Sequence, residues 1–450
     1  MPDARNPRTD SISLPFTASI PIPPATGAIR TLGSDPATAP IVLHPGDAIS
    51  ASRRFVYVLL LGALTALGPF TVDLYLPAFP LIEDAFDTTS AAVQLTLTGT
   101  MIGFALGQLV VGPLSDTVGR RVPLLIATGA HILASLAAAI APDLLLLGIA
   151  RVAMGFGAAA GAVVAMAIVR DLFGGQRLVV MLSRLALVTG LAPVIAPLVG
   201  SALLGVMPWE GIFFVLAAYG VVMLACAIFL VPETLPRERR HERGTSTVWQ
   251  RYRSVLSDRV YVGVLIIGGM TFSGLFSYLT ASPFLFQTTY GFDALQYGLL
   301  FAVNSVGLVI GNQVAARLAA RFGPQWVLAG ATAMLVVSGA AIVICDQLGL
   351  GLWGTVVPLF VFMTTCGFTF PCAQVLALDR HGKAAGTAAS LLGASNNGVA
   401  GVISPLVGWI GGSAGITGTT MASVMVGCAI VGVLALWLVV RPRTVERLNP

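Results

Sequence analysis

Residues 91–141 read AAVQLTLTGTMIGFALGQLVVGPLSDTVGRRVPLLIATGAHILASLAAAIA. They hold two apolar runs, 91–113 and 122–141, around one charged stretch, GPLSDTVGRR, at 112–121. Each run is about twenty residues long, enough for an α-helix to cross roughly 30 Å of hydrocarbon. A membrane barrel strand would alternate apolar and polar residues over about ten positions; these runs do not. The segment predicts two membrane-spanning helices joined by a tight, basic turn.

The same pattern repeats along the whole chain. Spans are expected at 56–80, 91–113, 122–141, 143–169, 178–204, 210–231, 259–283, 294–316, 325–345, 352–377, 384–410 and 417–440. The fold class is therefore all-α and integral to the membrane, with twelve transmembrane helices. Only 10% of the 450 residues are charged and 56% are hydrophobic, with a mean hydropathy of +0.88. Soluble domains carry about 25% charged residues, so too few charges are available to cover a water-facing surface.

The net charge of +5 raises the question of nucleic acid, and its distribution answers it. With the N-terminus placed in the cytoplasm, the loops near 81–90, 142–143, 205–209, 284–293, 346–351 and 411–416 contain no Lys or Arg. The alternate connections carry Arg120/Arg121, Arg170/Arg177/Arg184, seven Arg between Arg237 and Arg259, Arg317/Arg321, Arg380/Lys383 and Arg441/Arg443/Arg447. This is the positive-inside pattern. The basic excess sets topology, both termini are expected in the cytoplasm, and no nucleic-acid partner is implied. Arg outnumbers Lys 24 to 1, which points to a GC-rich bacterium and hence to the bacterial cytoplasmic (inner) membrane.

Residues 1–52 are polar, rich in Pro, Ser, Thr and Ala, and lack the charged-then-apolar order of a cleaved signal peptide. A disordered cytoplasmic tail is expected there. Six-helix bundles are expected over 53–231 and 259–440, a cytoplasmic linker over 232–258 and a short tail over 441–450. Within the linker, Val248, Trp249, Tyr252, Val255 and Leu256 fall at helical spacing with Arg251 and Arg253 among them. That pattern suits either an amphipathic helix on the membrane surface or a solvated connection. The bundles are related in sequence. Gly103, Gly107, Leu114 and Gly119 match Gly307, Gly311, Leu318 and Gly323, each 204 residues on. Tyr75-Leu-Pro-Ala78 matches Tyr278-Leu-Thr-Ala281, and Val194-Ile-Ala-Pro-Leu-Val-Gly200 matches Val402-Ile-Ser-Pro-Leu-Val-Gly408. A repeat of six spans keeps its orientation, so the halves are parallel. Transporters built this way bind substrate between the halves and rock about it.

Four groups of residues carry candidate chemistry. In the turn, Gly112 and Pro113 interrupt the helix, Gly119 permits a tight bend, and Asp116, Arg120 and Arg121 supply charges that can be re-paired between two states. A purely topological turn with basic anchors would look the same. Away from the span ends, Arg151 is the single basic residue placed inside a span, and Asp73 the single acid. Ionisable groups at membrane depth are costly and default to a functional reading. At ~1.5 Å per residue both lie about 7 Å outward of their span centres, so a pairing is possible. The bland alternatives are an Arg reaching the headgroups and an Asp at a loop edge. In the fifth span, Gly190, Pro193, Pro197 and Gly200 share one face, where small residues allow close packing.

The turn resembles the loop motif of the major facilitator superfamily, G-x-L-[SA]-D-R-x-G-R-[RK], at Gly112, Leu114, Ser115, Asp116, Gly119, Arg120 and Arg121. It departs at Thr117, where the family commonly has Arg. The stretch from Arg151 through Gly155 and Gly157 is similar to the family's fourth-helix pattern, which implies a role in proton coupling. The D-x-Y-L-P-A stretch at 73–78 and Ile168-Val-Arg-Asp-Leu-Phe173 resemble the Bcr/CflA drug-resistance exporters within it. The fifth-span face is a degenerate form of the antiporter motif there. The resemblance spans about 55–440 and implies a major facilitator fold of two six-helix bundles and drug:proton antiport by alternating access. A monomer is its expected state.

Tyr75, Phe272, Phe276, Tyr278, Asn304, Asn396 and Asn397 are candidates for the substrate cavity, with interhelical hydrogen bonding or packing as the alternative. Gln108, Asn312 and Gln313 are further polar residues at membrane depth. The five cysteines lie in or beside apolar spans without a CxxC pair, so neither disulfide nor metal is expected. No cofactor is implied. Gly411-Gly-Ser-Ala-Gly415 fits a hydrolase G-x-S-x-G but lacks the strand–turn–helix setting and a base, and no Walker motif is present. An enzyme is therefore not expected. The expected partners are a small-molecule substrate, protons and the bilayer. Two functions stand: proton-coupled export of small amphiphilic drugs, such as phenicol- or bicyclomycin-like compounds, and proton-coupled transport of a natural metabolite such as an amino acid, nucleoside or sugar.

Overall fold

A computed structural model describes residues 46, 49–240, 245–379, 381, 385–412 and 415–444. Most of the 1–52 tail, Arg380, Lys383, Ser413, Ala414, His241 and the end of the chain from 445 lie outside the described residues. The expectations attached to those positions therefore stay expectations.

The first half comprises α1 (Ala51–Asp73), α2 (Phe79–Ala85), α3 (Ser90–Val118), α4 (Arg121–Ala139), α5 (Leu144–Leu172), α6 (Gly175–Leu204) and α7 (Glu210–Leu230). The linker forms α8 (Thr245–Leu256). The second half comprises α9 (Arg259–Pro283), α10 (Ala294–Phe322), α11 (Pro324–Gln347), α12 (Gly351–Asp379), α13 (Ala385–Ile403), α14 (Leu406–Gly411) and α15 (Gly418–Leu434). Among the described residues, eleven helical elements are long and apolar enough to cross a membrane. The expected span at 384–410 is the twelfth, split into α13 and α14 by a turn at Ser404-Pro405. Phe229, Leu133 and Trp409 are 82%, 70% and 77% exposed, a surface suited to lipid rather than water.

Local chemistry sets the helix ends. Prolines at 77 and 80 cannot donate backbone N–H groups, so α1 stops at Asp73 and the chain passes through a short 3₁₀ turn, Leu76–Ala78, before α2. Thr89, Asp143, Asp293 and Thr417 cap their helices with side-chain oxygens. Gly119 and Gly323, equivalent in the repeat, both end long helices at positive φ, +110° and +87°. The repeat extends to packing. A Cβ on Gly103 would collide with the Val152 carbonyl of α5, and one on Gly311 with the Thr364 carbonyl of α12. The α3–α5 and α10–α12 crossings are thus the same backbone contact made twice.

Three apolar clusters place the halves. One draws on both, with Tyr75, Phe79 and Phe213 from the first and Phe284, Phe286 and Tyr297 from the second. It lies at the end opposite the basic turn. The other two sit towards the basic end, and each stays within one half: Tyr57, Leu61 and Val111 in the first, Tyr261, Ala315 and Leu376 in the second. The halves are sealed together at the end opposite the basic turn. Along the α3–α13 seam the contact continues as far as Gly112, close to Ser390 Oγ.

Candidate functional site

Arg151 is fully buried on α5. Its Nη1 donates to the Thr71 carbonyl at 2.7 Å. Thr71 lies in the last turn of α1, where carbonyls lose their intrahelical partners and a cation meets the negative end of the helix dipole. The guanidinium stacks 4.2 Å over the Tyr75 ring and 5.9 Å from the Phe213 ring, the geometry of a desolvated cation–π contact worth about 2 kcal/mol. The Tyr75 hydroxyl bonds Thr96 Oγ1. Among the described residues, Nε and Nη2 of Arg151 have no hydrogen-bond partner. His131, fully buried beside this group, meets the Met154 carbonyl through Nδ1 at 3.0 Å.

Asp73 ends α1 and is 4% exposed. The sequence reading allowed it to pair with Arg151; among the described residues no such ion pair exists. Arg151 turns into its own half, while Asp73 lies buried within electrostatic range of the Tyr278 and Tyr297 hydroxyls of the other. Those hydroxyls are themselves held: Asn304 Nδ2 donates to Tyr278 at 3.2 Å, and Ser282 Oγ meets Tyr297 at 3.1 Å.

The cavity candidates separate. Tyr75, Tyr278 and Asn304 are fully buried in the sealed end, so in this arrangement they are packing and hydrogen-bonding groups rather than an open wall. Phe272 and Phe276 lie 4.6 Å apart, and Phe370 of α12 closes on Phe272 at 5.9 Å. Phe272 and Phe370 are half-buried. Asn397 donates to the Gly393 carbonyl within its own helix, and Asn396 Oδ1 abuts Gly268 of α9. On α6, the carbonyl of Pro193 accepts from Ser305 Oγ of α10 at 3.3 Å. Pro197 lies against Gly298 of the same helix, and Gly200 packs on the Leu74 carbonyl. Gly190 does not join this contact, since open space lies beside it.

At the basic end, Arg120 Nε donates to Asp171 at 2.9 Å, and Nη1 donates to Asp116 at 2.5 Å and Ser115 Oγ at 2.8 Å. Burial works against the Arg120 charge, but Asp171 and Asp116 outweigh it and hold the guanidinium more basic than usual. Glu233, just past α7, accepts the backbone N–H groups of Arg120 at 2.9 Å and Arg121 at 3.3 Å. Arg121 Nη2 donates to the Ile228 carbonyl. Thr117, at the family's usual Arg position, only bonds back to Leu114. Sequence reasoning missed Phe213, Phe370 and Glu233. Asp171 lay inside the quoted 168–173 segment without an assigned role.

These features define a two-bundle membrane carrier with one charge cluster at its basic end and two buried charges near its seal. The sequence pattern of the Major Facilitator Superfamily matches residues 59–405, and the chain belongs to that superfamily. It is 34% identical over 400 residues to the uncharacterized MFS-type transporter YdgK of Bacillus subtilis, covering 88% of this chain and 98% of that one. It is 30% identical over 384 residues to a bicyclomycin resistance protein homolog of Haemophilus influenzae, covering 85% and 95%. Among solved structures, a bacterial homolog of the human lysosomal transporter Spinster, inward-facing and unoccupied, aligns with a TM-score of 0.67 at 14% identity, covering 89% of this chain and all of that one. That likeness speaks to the fold.

Proposed function

We propose that this chain is a proton-coupled antiporter that exports small amphiphilic drugs from the cytoplasm by alternating access. The observation that carries the reading is Asp73, one carboxyl enclosed between the halves at their sealed end and free of any ion pair with Arg151. A charged carboxylate resists such enclosure and a neutral one does not. Protonation of Asp73 from outside therefore favours sealing that end and opening the other. Substrate entering from the cytoplasmic side reverses the preference, and the proton leaves inward. The aromatic group Phe272, Phe276 and Phe370 suits an amphiphile, and kinship with a bicyclomycin resistance homolog favours an antibiotic-like substrate over a metabolite.

In this reading the basic end faces the cytoplasm, the protein is a monomer of the bacterial inner membrane, and 53–231 and 259–440 move as two bodies about the 232–258 linker. Arg120 with Asp116 and Asp171 holds the cytoplasmic face of the first body. The test is drug accumulation in a sensitive bacterial host. Wild type is expected to lower accumulation of a phenicol or bicyclomycin, and Asp73→Asn, at equal expression, to restore the level of the empty host. Equal protection by Asp73→Asn would remove Asp73 from the mechanism.

A further inference from the structure

Gln94 lies near the start of α3, at the sealed end, and is completely buried. Its Oε1 accepts the backbone N–H of Gly408, in α14 of the other half, at 3.1 Å. That N–H is available because the chain breaks at Ser404-Pro405. In an unbroken helix the Gly408 N–H would bond the Ser404 carbonyl; here that carbonyl accepts from Val407 in a tight turn. The approach is close: a Cβ on Gly408 would stand 2.7 Å from Ala91 Cα and 2.9 Å from Gln94 Oε1. The equivalent segment of the first half, Val194–Gly200, stays helical within α6, and its Gly200 packs on Leu74 of its own half. Only the second copy of the repeat breaks and offers a backbone donor across the seam.

We infer that Gln94 is a positioning residue of the transport cycle, a latch that acts through α14 to set the population of the state sealed at this end. With the seal open, water satisfies both groups. With it closed, both are dry: Oε1 meets the Gly408 N–H, Nε2 of Gln94 has no partner among the described residues, and a Gly408 N–H left without Oε1 would carry the penalty of a buried unpaired donor. Closure is therefore favoured only in the register that joins Gln94 to Gly408. A half-buried amide also bridges the halves on another flank, where Gln287 Nε2 donates to the Pro77 carbonyl at 3.1 Å. The inference concerns the conformational equilibrium and stands whatever the substrate is.

The test is a distance measurement by pulsed electron paramagnetic resonance on the full chain in lipid nanodiscs. Spin labels go at Asp84 and Leu295, exposed residues at the sealed end of opposite halves. The five native cysteines are replaced, in a background that still assembles as a monodisperse protein. Gln94→Leu removes the acceptor. Gln94→Asn keeps an amide one carbon short of Gly408 and gives a milder variant. Gln94→Leu is expected to raise the long-distance, open population about fivefold, the scale of one net hydrogen bond, and Gln94→Asn to raise it by less. A folded Gln94→Asn or Gln94→Leu protein with the unmodified distance distribution would overturn the latch.

Discussion

Asp73 and Arg151 are the kind of opposite charges often drawn as a pair, yet among the described residues they do not pair. Arg151 is held by a helix-end carbonyl and two aromatic faces, and Asp73 lies buried at the end of α1. This separation leaves Asp73 able to change charge without stranding Arg151. It also makes Arg151 hard to replace. Lysine has a compact ammonium in place of the planar guanidinium, so it cannot both lie flat on Tyr75 and reach the Thr71 carbonyl. Arg151→Lys is expected to lower drug transport by more than about tenfold while the protein still elutes as a folded, monodisperse species at the wild-type volume. Tyr75→Phe keeps the ring face, loses only the Thr96 contact, and is expected to stay within about threefold of wild type. Transport assays on purified, reconstituted variants check both. The two charges stood out in the sequence because they are alone in apolar spans. Their partners did not, because counting residues gives depth along a helix and not direction around it.

At the level of elements, the basic turn and the segment after α7 form one unit. Gly119 sits at φ +110°, and a side chain there would collide with the Glu233 carboxylate and stand 2.7 Å from Arg240 Nη2. The glycine is required twice, by its backbone and by the space above it. Gly119→Ala is expected to speed hydrogen exchange across the amides of 116–121 and lower the thermal midpoint. Glu233→Gln keeps an oxygen acceptor for the two N–H groups and should do less. Faster exchange in Glu233→Gln than in Gly119→Ala would contradict this ordering. The spans themselves were legible, since apolar runs of membrane length leave little choice of structure. The breaks were less so. The halt of α1 at Asp73 follows from Pro77 and Pro80, but the turn at Ser404-Pro405 lay hidden, because the matching Ala196-Pro197 stays helical within α6. Proline permits a break without dictating one, and packing against α3 decides.

For the whole molecule, the repeated glycine contacts explain two similar bundles, and the apolar clusters explain their present arrangement: one shared core at the end opposite the basic turn and a separate core in each half towards the basic end. The repeat was readable as matched residues about 204 apart. Which end is sealed was not, since it depends on contacts such as Phe79 with Phe284 at 5.7 Å between residues about half the chain apart. The central claim is that proton entry through Asp73 drives substrate the other way. It is tested most directly by proton flux in inverted membrane vesicles energised to an acidic interior, with drug added outside. Wild type is predicted to release protons in step with drug uptake into the vesicles, and Asp73→Asn to show neither movement. Drug-dependent proton release of wild-type size in Asp73→Asn would contradict the account.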